Sequence, residues 1–191
     1  MSALIATVLW QRVDVPGLDY CRLWSGPDGF RFEGTLIVNE GQPWRVHYEV
    51  DCSPAWETRS AAISLTAGAE TRELRLKAEG TGLAGLAGCV DVDVSLTPAT
   101  NTLPIRRLGL LDLAVGESRE VTAAWVGFPE LSVEPLPQRY TRLAGRRFDY
   151  ESGGGIFRTE LEVDDAGLVV SYPPFWRRVT ISTRHFEETR A

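Results

Sequence analysis

The sequence predicts an all-β protein: an antiparallel meander that forms a barrel or a strongly curved half-barrel, with at most short helices. Two observations predict this fold. Apolar and polar residues alternate along segment after segment, and turn-forming residues separate these segments at short intervals. Alternation with a period of two gives each strand one dry and one wet face, as is typical of antiparallel sheets.

The alternation is clearest at 44–51, where every even-numbered residue is apolar and every odd-numbered residue is polar, and it recurs at 71–79 and 157–164. Weaker alternation predicts further strands at 4–13, 18–24, 29–38, 57–66, 89–96, 119–127, 138–143, 146–151, 168–172 and 178–184. Glycine, proline and aspartate mark the breaks, as at 26–29, 153–155 and 164–167. A short helix or 3₁₀ turn is predicted after Thr97 and Pro98, where Asn101 or Thr102 would cap it.

Length and composition predict one β-barrel-like domain over residues 1–191. The chain has 43% hydrophobic and 24% charged residues, an ordinary balance for a globular protein, and no composition shift divides it. A chain of this size buries enough surface for a core without disulfides or metals. We expect the charged tail at 185–191 to fray.

Charge, hydropathy and cysteine usage argue against nucleic acid as a partner, against a membrane span and against a metal site. A net charge of −6 disfavours nucleic acid as a partner. The first ten residues lack a basic segment, and no apolar run approaches the roughly 18 residues of a membrane span. Three widely spaced cysteines and two histidines predict free, buried thiols in a cytoplasmic protein with no metal site and no cofactor.

The most unusual stretch is TPATNTLPIRRL at 97–108. Its prolines and hydroxyl or amide side chains make a rigid connection that delivers Arg106 and Arg107. If these continue as a strand, one arginine faces the interior, where it must be paired or meet an anionic ligand. The preceding segment alternates so that Asp91 and Asp93 share a face. Two interpretations stay open: a structural clasp between aspartate and arginine, or an anchor for a ligand head group.

The run TPATNTLPIRRL, preceded by GCVDVDVSL at 88–96, resembles the signature of a bacterial family of unknown function that is named for glycolipid binding. The segments 56–59, 138–140 and 163–175 agree with it in order, so that the resemblance covers residues 8–180. It implies a barrel-like fold similar to that of the carriers that ferry lipoproteins across the periplasm. Lipid or glycolipid binding is implied by analogy of fold.

The leading hypothesis is therefore a module that binds an amphipathic small molecule, a lipid or glycolipid, in the barrel interior. The polar end of the site is assigned to Trp56, Arg59, Arg106, Arg107, Gln138 and Tyr140, and the structural clasp to Asp91, Asp93 and Asn101. We expect a cavity of at least roughly 300 Å³ near Trp56. Its predicted walls are Phe30, Phe32, Leu36, Val46, Tyr48, Leu161 and Val163.

Two alternatives stay open. One is a hydrolase or isomerase that uses the Asp/Arg/Gln/Tyr cluster at the barrel mouth, and the other is a non-catalytic homodimeric scaffold. The sequence contains no G-x-S-x-G motif, and its two histidines, His47 and His185, are far apart. We therefore assign no catalytic residue and favour binding over catalysis.

Overall fold

The computed structural model describes residues 2–183. Within that range the chain forms 14 strands, one α-helix and three 3₁₀ turns. The strands are β1 Ala3–Arg12, β2 Gly17–Gly26, β3 Gly29–Asn39, β4 Pro43–Cys52, β5 Thr58–Ala67, β6 Glu70–Glu79, β7 Gly82–Leu83, β8 Val92–Val94, β9 Ser118–Gly127, β10 Ser132–Arg142, β11 Arg147–Ser152, β12 Phe157–Val163, β13 Val169–Tyr172 and β14 Trp176–Thr183. The helix α1 is Thr102–Arg107. The tail predicted to fray, 185–191, lies outside the described residues.

All 14 strands join one sheet in the order β7-β6-β5-β4-β3-β2-β1-β14-β13-β12-β11-β10-β9-β8. Neighbouring strands are antiparallel, except that β8 runs parallel to β9 with Val92 beside Ala124. The sheet is curled but not closed, and 62% of the described residues are in strands. The prediction of an all-β, antiparallel, strongly curved half-barrel is confirmed.

Alternating burial follows the alternating sequence. In β4, Trp44, Val46, Tyr48 and Val50 are buried, while Arg45 between them is exposed. The buried side chains point to the concave face of the sheet and form the core, because successive side chains of a strand lie on opposite faces.

The concave face is covered by residues 97–112, which we call the interior segment. It contains a 3₁₀ turn at Ala99–Asn101, helix α1 and a second 3₁₀ turn at Leu110–Asp112. Leu103 packs into a core cluster with Trp10 and Phe32, whereas Ile105 packs into a second cluster with Tyr140. The interior segment therefore contacts both halves of the curved sheet.

Three details of this region differ from the sequence-based expectation. Arg106 and Arg107 end a helix instead of continuing as a strand, since Pro104 lies within the first turn, where proline is tolerated. Asn101 precedes α1 but makes no side-chain cap hydrogen bond. Of the predicted strand 89–96, only Val92–Val94 pairs, because a short parallel contact replaces an antiparallel hairpin.

The helix formed by the described residues is too short to cross a membrane. Cys21, Cys52 and Cys89 are buried free thiols. Burial raises the pKa of the Cys52 thiol to about 12, which keeps it protonated and unreactive at neutral pH.

Candidate functional site

Trp56 occupies the turn between β4 and β5. Its φ of 67° lies in the left-handed region, which is rare for a bulky residue. The backbone N–H of Trp56 donates to the carbonyl of Ser53 at 2.9 Å, which fixes the turn. The indole stacks on Phe30, with ring centroids 3.8 Å apart and planes 16° apart. The guanidinium of Arg106 lies 5.4 Å from the Trp56 ring centroid, so β3, the turn and α1 meet at one stack.

Arg107 and Asp91 form a buried ion pair beside this stack. Nε of Arg107 donates to Oδ1 of Asp91 at 2.9 Å, and Nη2 donates to Oδ2 at 2.6 Å. The Asp91 side chain is 1% exposed and the Arg107 side chain 18%. Burial raises the pKa of Asp91 while the hydrogen bonds from Arg107 oppose that rise, and the bond to Asp91 raises the pKa of Arg107. The geometry is the bidentate fork of a strong pair.

Arg59 lies at the edge of a solvent-open cleft beside the turn between β2 and β3. Its Nη1 donates to the backbone carbonyl of Asp28 at 2.7 Å, so its position is fixed by that turn. The cleft has a volume of about 610 Å³. Its lining residues are Ser2, Trp24, Ser25, Gly26, Pro27, Asp28, Gly29, Phe30, Arg31, Glu33, Asp51, Cys52, Arg59 and Ser60.

The cleft combines aromatic surface with paired charges. Trp24 and Phe30 supply the aromatic side chains, and Phe30 is backed by Trp56. Nε of Arg31 donates to Oδ1 of Asp51 at 2.6 Å, and the Ser60 hydroxyl donates to Oδ2 of the same carboxylate at 3.1 Å. The cleft therefore offers both donors and acceptors next to an apolar surface.

Gln138 and Tyr140 belong to a separate buried network. Nε2 of Gln138 donates to Oδ2 of Asp93 at 2.7 Å. The Tyr140 hydroxyl lies 3.2 Å from Oε1 of Gln138 and 3.3 Å from Oδ1 of Asn101, within donating distance of both. Burial raises the pKa of Asp93 to about 6. Tyr140 is 0% exposed beneath the interior segment, so its predicted position at an open mouth is corrected to a position in the core.

The predicted cavity walls are packed. Apart from Phe30, each is at most 2% exposed: Phe32, Leu36, Val46, Tyr48, Leu161 and Val163. They pack in the two core clusters under the interior segment. The cleft near Trp56 exceeds the expected volume, but it opens at the surface and shares only Phe30 with the predicted walls.

A buried polar triad escaped the sequence analysis. The Tyr48 hydroxyl lies 3.1 Å and 3.0 Å from the two carboxyl oxygens of Asp19, and the Thr97 hydroxyl also donates to Asp19. Asp19 is 0% exposed, and burial raises the pKa of its carboxyl to about 7. The sequence did contain a signal for this: Asp19 alternates with Cys21 and Leu23 in β2, so it lies on the same inward face of that strand.

Comparison with known proteins gives two findings. The family model described as "Putative glycolipid-binding" matches residues 7–178. A crystal structure of a DUF1089 family protein from Pseudomonas aeruginosa, at 1.80 Å resolution, is 32% identical in sequence with a TM-score of 0.75. That match covers 85% of this chain and 92% of the other. No curated protein matches the chain. The family match extends over most of the sequence, and the chain therefore belongs to the family described as "Putative glycolipid-binding".

Proposed function

We propose that the protein binds a lipid or glycolipid and that the cleft beside the β2–β3 turn receives the sugar head group. The observation that carries this proposal is the cleft of about 610 Å³, in which aromatic side chains stand beside paired charged groups. Ligand sites of this kind combine apolar contact with a few convergent polar groups that fix orientation.

The chemistry of a sugar suits both components. One face of a pyranose ring carries C–H groups that pack on an aromatic ring, as Trp24 or Phe30 would provide. Sugar hydroxyls both donate and accept hydrogen bonds, so they match Asp51 as acceptor and the guanidinium groups of Arg31 and Arg59 as donors.

In this proposal the other residues predicted for the site do not contact the ligand, and they support the structure around the cleft. Trp56 supports Phe30 from behind, and Arg106 packs on Trp56. The remaining predicted residues hold the interior segment against the sheet: Asp91, Asp93, Asn101, Arg107, Gln138 and Tyr140. They are positioning residues, and the contact with ligand falls to the cleft.

A cytoplasmic location is part of the proposal. Its support is that three cysteines are buried as free thiols, which suits a reducing compartment.

Calorimetric titration with monomeric n-octyl glucoside tests the proposal. We expect saturable binding, weakened about tenfold in Trp24→Ala and in Arg59→Gln, because each removes one component of the cleft. Tyr20→Ala and Arg45→Gln are matched controls, since both residues are exposed and neither lines the cleft.

A fluorescent fatty-acid probe separates head-group binding from chain binding. Displacement of the probe by octyl glucoside, lost in the cleft variants, supports the proposal. If octyl glucoside does not bind, or if the control variants weaken binding as much as the cleft variants, the cleft is not the site.

One observation favours an enzymatic alternative. Asp93, whose pKa burial raises to about 6, accepts a hydrogen bond from Gln138, and Gln138 lines a second cleft of about 450 Å³ with Glu120 and Glu151. Carboxyl groups with raised pKa values are the usual general acids of hydrolases. Turnover of nitrophenyl glycosides that disappears in Asp93→Asn would favour this alternative over binding alone.

A further inference from the structure

A third concavity, of about 620 Å³, is lined by three arginines and two aspartates: Arg106, Arg142, Arg146, Asp112 and Asp165. These residues come from different parts of the chain. Arg106 lies near the end of α1, Arg142 ends β10, and Arg146 follows in the turn to β11. The fold therefore lines one concavity with three arginine side chains that are not adjacent in sequence.

Arg142 has no carboxylate partner within residues 2–183. Its Nη1 donates to the backbone carbonyls of Leu143 at 3.0 Å and Arg147 at 3.4 Å, and its guanidinium lies 5.3 Å from the ring centroid of Phe148. The buried Nε has no hydrogen-bond acceptor in the described part of the chain. The side chain is thus held in place while its charge is not neutralised by an acid.

Arg106 also lacks an acidic partner in the described residues. Packing holds its side chain: the guanidinium lies over Trp56, and the stem passes close to Gly167, where an added Cβ would come within 3.1 Å of the Arg106 Cδ. Gly167 has a φ of +80°, and its carbonyl accepts a hydrogen bond from the Thr102 hydroxyl at 3.1 Å. The 164–167 turn and α1 therefore fix Arg106 without pairing its charge.

The charge balance of the concavity is positive although the chain is acidic. Arg146 pairs with Asp165, and Asp112 is the other acid in the lining. Three arginines and two aspartates leave a net charge of +1 here, against −6 for the whole chain. Such a local reversal attracts anions.

We infer that this concavity binds a phosphate group, with the guanidinium groups of Arg106 and Arg142 as donors and Arg146 as a third. A tetrahedral oxyanion presents oxygens in several directions, which suits arginines that approach from separate elements. A carboxylate has two oxygens in one plane and is satisfied by a single fork. The concavity shares no lining residue with the sugar cleft. Because Arg106 also packs on Trp56 behind Phe30, Arg142 is the residue whose substitution tests the concavity separately from the cleft.

Phosphate chemistry has two sources, a soluble phosphate ester or a phospholipid head group. The test titrates the full chain with inorganic phosphate, with glycerol 3-phosphate and with acetate in the calorimeter. In parallel, flotation compares phosphatidylcholine vesicles with and without phosphatidic acid. Binding of the soluble phosphates alone assigns a soluble ligand, and binding of both forms assigns a lipid head group.

Arg142→Gln and Arg106→Gln should each weaken phosphate binding about tenfold, because each removes charge-assisted hydrogen bonds to the anion. Arg45→Gln removes the same charge from an exposed site on β4 and should leave phosphate binding within twofold. Arg142→Lys should bind with intermediate affinity, since it keeps the charge and loses the fork. Thermal unfolding of each variant checks that the fold is retained. Of the substitutions in the concavity, Arg106→Gln should disturb the fold least, because Arg106 is exposed.

Three outcomes would overturn the inference. The first is that the wild-type chain does not bind inorganic phosphate at concentrations up to about 10 mM, roughly ten times a millimolar Kd. The second is that acetate binds with the same affinity as phosphate. The third is that Arg45→Gln weakens phosphate binding as much as Arg142→Gln does.

Discussion

The pair of Arg107 and Asp91 removes two charges from water at the junction of α1 and the segment before β8. Its two hydrogen bonds, at 2.9 Å and 2.6 Å, offset that desolvation by satisfying both carboxylate oxygens. Removal of one partner would leave the other charge buried and unpaired, which is far more costly than loss of an exposed pair.

Arg107→Ala should therefore lower the free energy of unfolding by about 3–5 kcal/mol. Arg31→Ala is the matched control, because Arg31 pairs with Asp51 at side-chain exposures of 51% and 36%. That exposed pair should contribute less than about 1 kcal/mol. Urea unfolding measures both variants, and equal losses would show that Arg107 is effectively solvated.

Asp19 makes stability depend on pH in a defined window. Its folded-state pKa of about 7 lies above the ordinary value of 3.8, to which it returns on unfolding. The stability that protonated Asp19 contributes is fully present below about pH 4 and is lost as the pH rises through about 7. The total change is roughly 4 kcal/mol, from about 1.4 kcal/mol per pKa unit.

Asp19→Asn should remove this dependence, since an amide does not ionise and still accepts hydrogen bonds from Tyr48 and Thr97. We expect the free energy of unfolding of the variant, relative to wild type, to rise by roughly 4 kcal/mol between pH 4 and pH 8. Urea titrations at both pH values measure the difference. A difference that stays constant with pH would mean that Asp19 titrates normally in the fold.

At the scale of the strands, one glycine connects β2, β3 and β4. Gly34 in β3 pairs with Tyr48 in β4 and with Cys21 in β2. A Cβ at Gly34 would lie 2.1 Å from Cζ of Tyr48, so the phenol ring crosses the strand where there is no side chain. The missing side chain lets Tyr48 reach Asp19 two strands away.

Gly34→Ala should lower the free energy of unfolding by at least about 3 kcal/mol, through overpacking and loss of the hydrogen bonds to Asp19. In a Tyr48→Ala background the ring is gone, so the same substitution should cost less than about 1 kcal/mol. Gly26→Ala is the control. The closest atom to its added Cβ is the Ser2 hydroxyl oxygen at 2.9 Å, which can rotate away, whereas the ring of Tyr48 cannot. Additive losses at positions 34 and 48 would disprove this packing.

The strands were predictable because alternation is local: β4 can be recognised from residues 44–51 alone. The pairing of Tyr48 with Asp19 was not, because it depends on a glycine in another strand and on Thr97 from the interior segment. The sequence analysis did name Asp91 and Arg107 as candidates for the clasp or the ligand site, and the two residues contact each other. The sequence analysis placed Tyr140 at an open mouth, because alternation cannot show which face of the sheet the interior segment covers.

At the scale of the whole molecule, the open sheet has two core clusters. The first holds Trp10, Trp44, Trp56 and Trp176, and the second holds Tyr140, Phe148 and Tyr150. The interior segment joins them, because Leu103 packs in the first cluster and Ile105, two residues later, packs in the second. A short helix therefore links the two clusters across the concave face.

This linkage predicts one cooperative unfolding transition. Ile105→Ala removes a fully buried side chain from the second cluster and should cost about 2–5 kcal/mol. Tryptophan fluorescence mainly reports the first cluster, because that cluster contains four tryptophans and the residues of the second cluster include none. We expect its urea midpoint to fall as far as the midpoint from far-ultraviolet circular dichroism, which reports all strands. If the fluorescence midpoint stays at the wild-type value while the dichroism midpoint falls, the two clusters unfold separately, and the interior segment does not couple them.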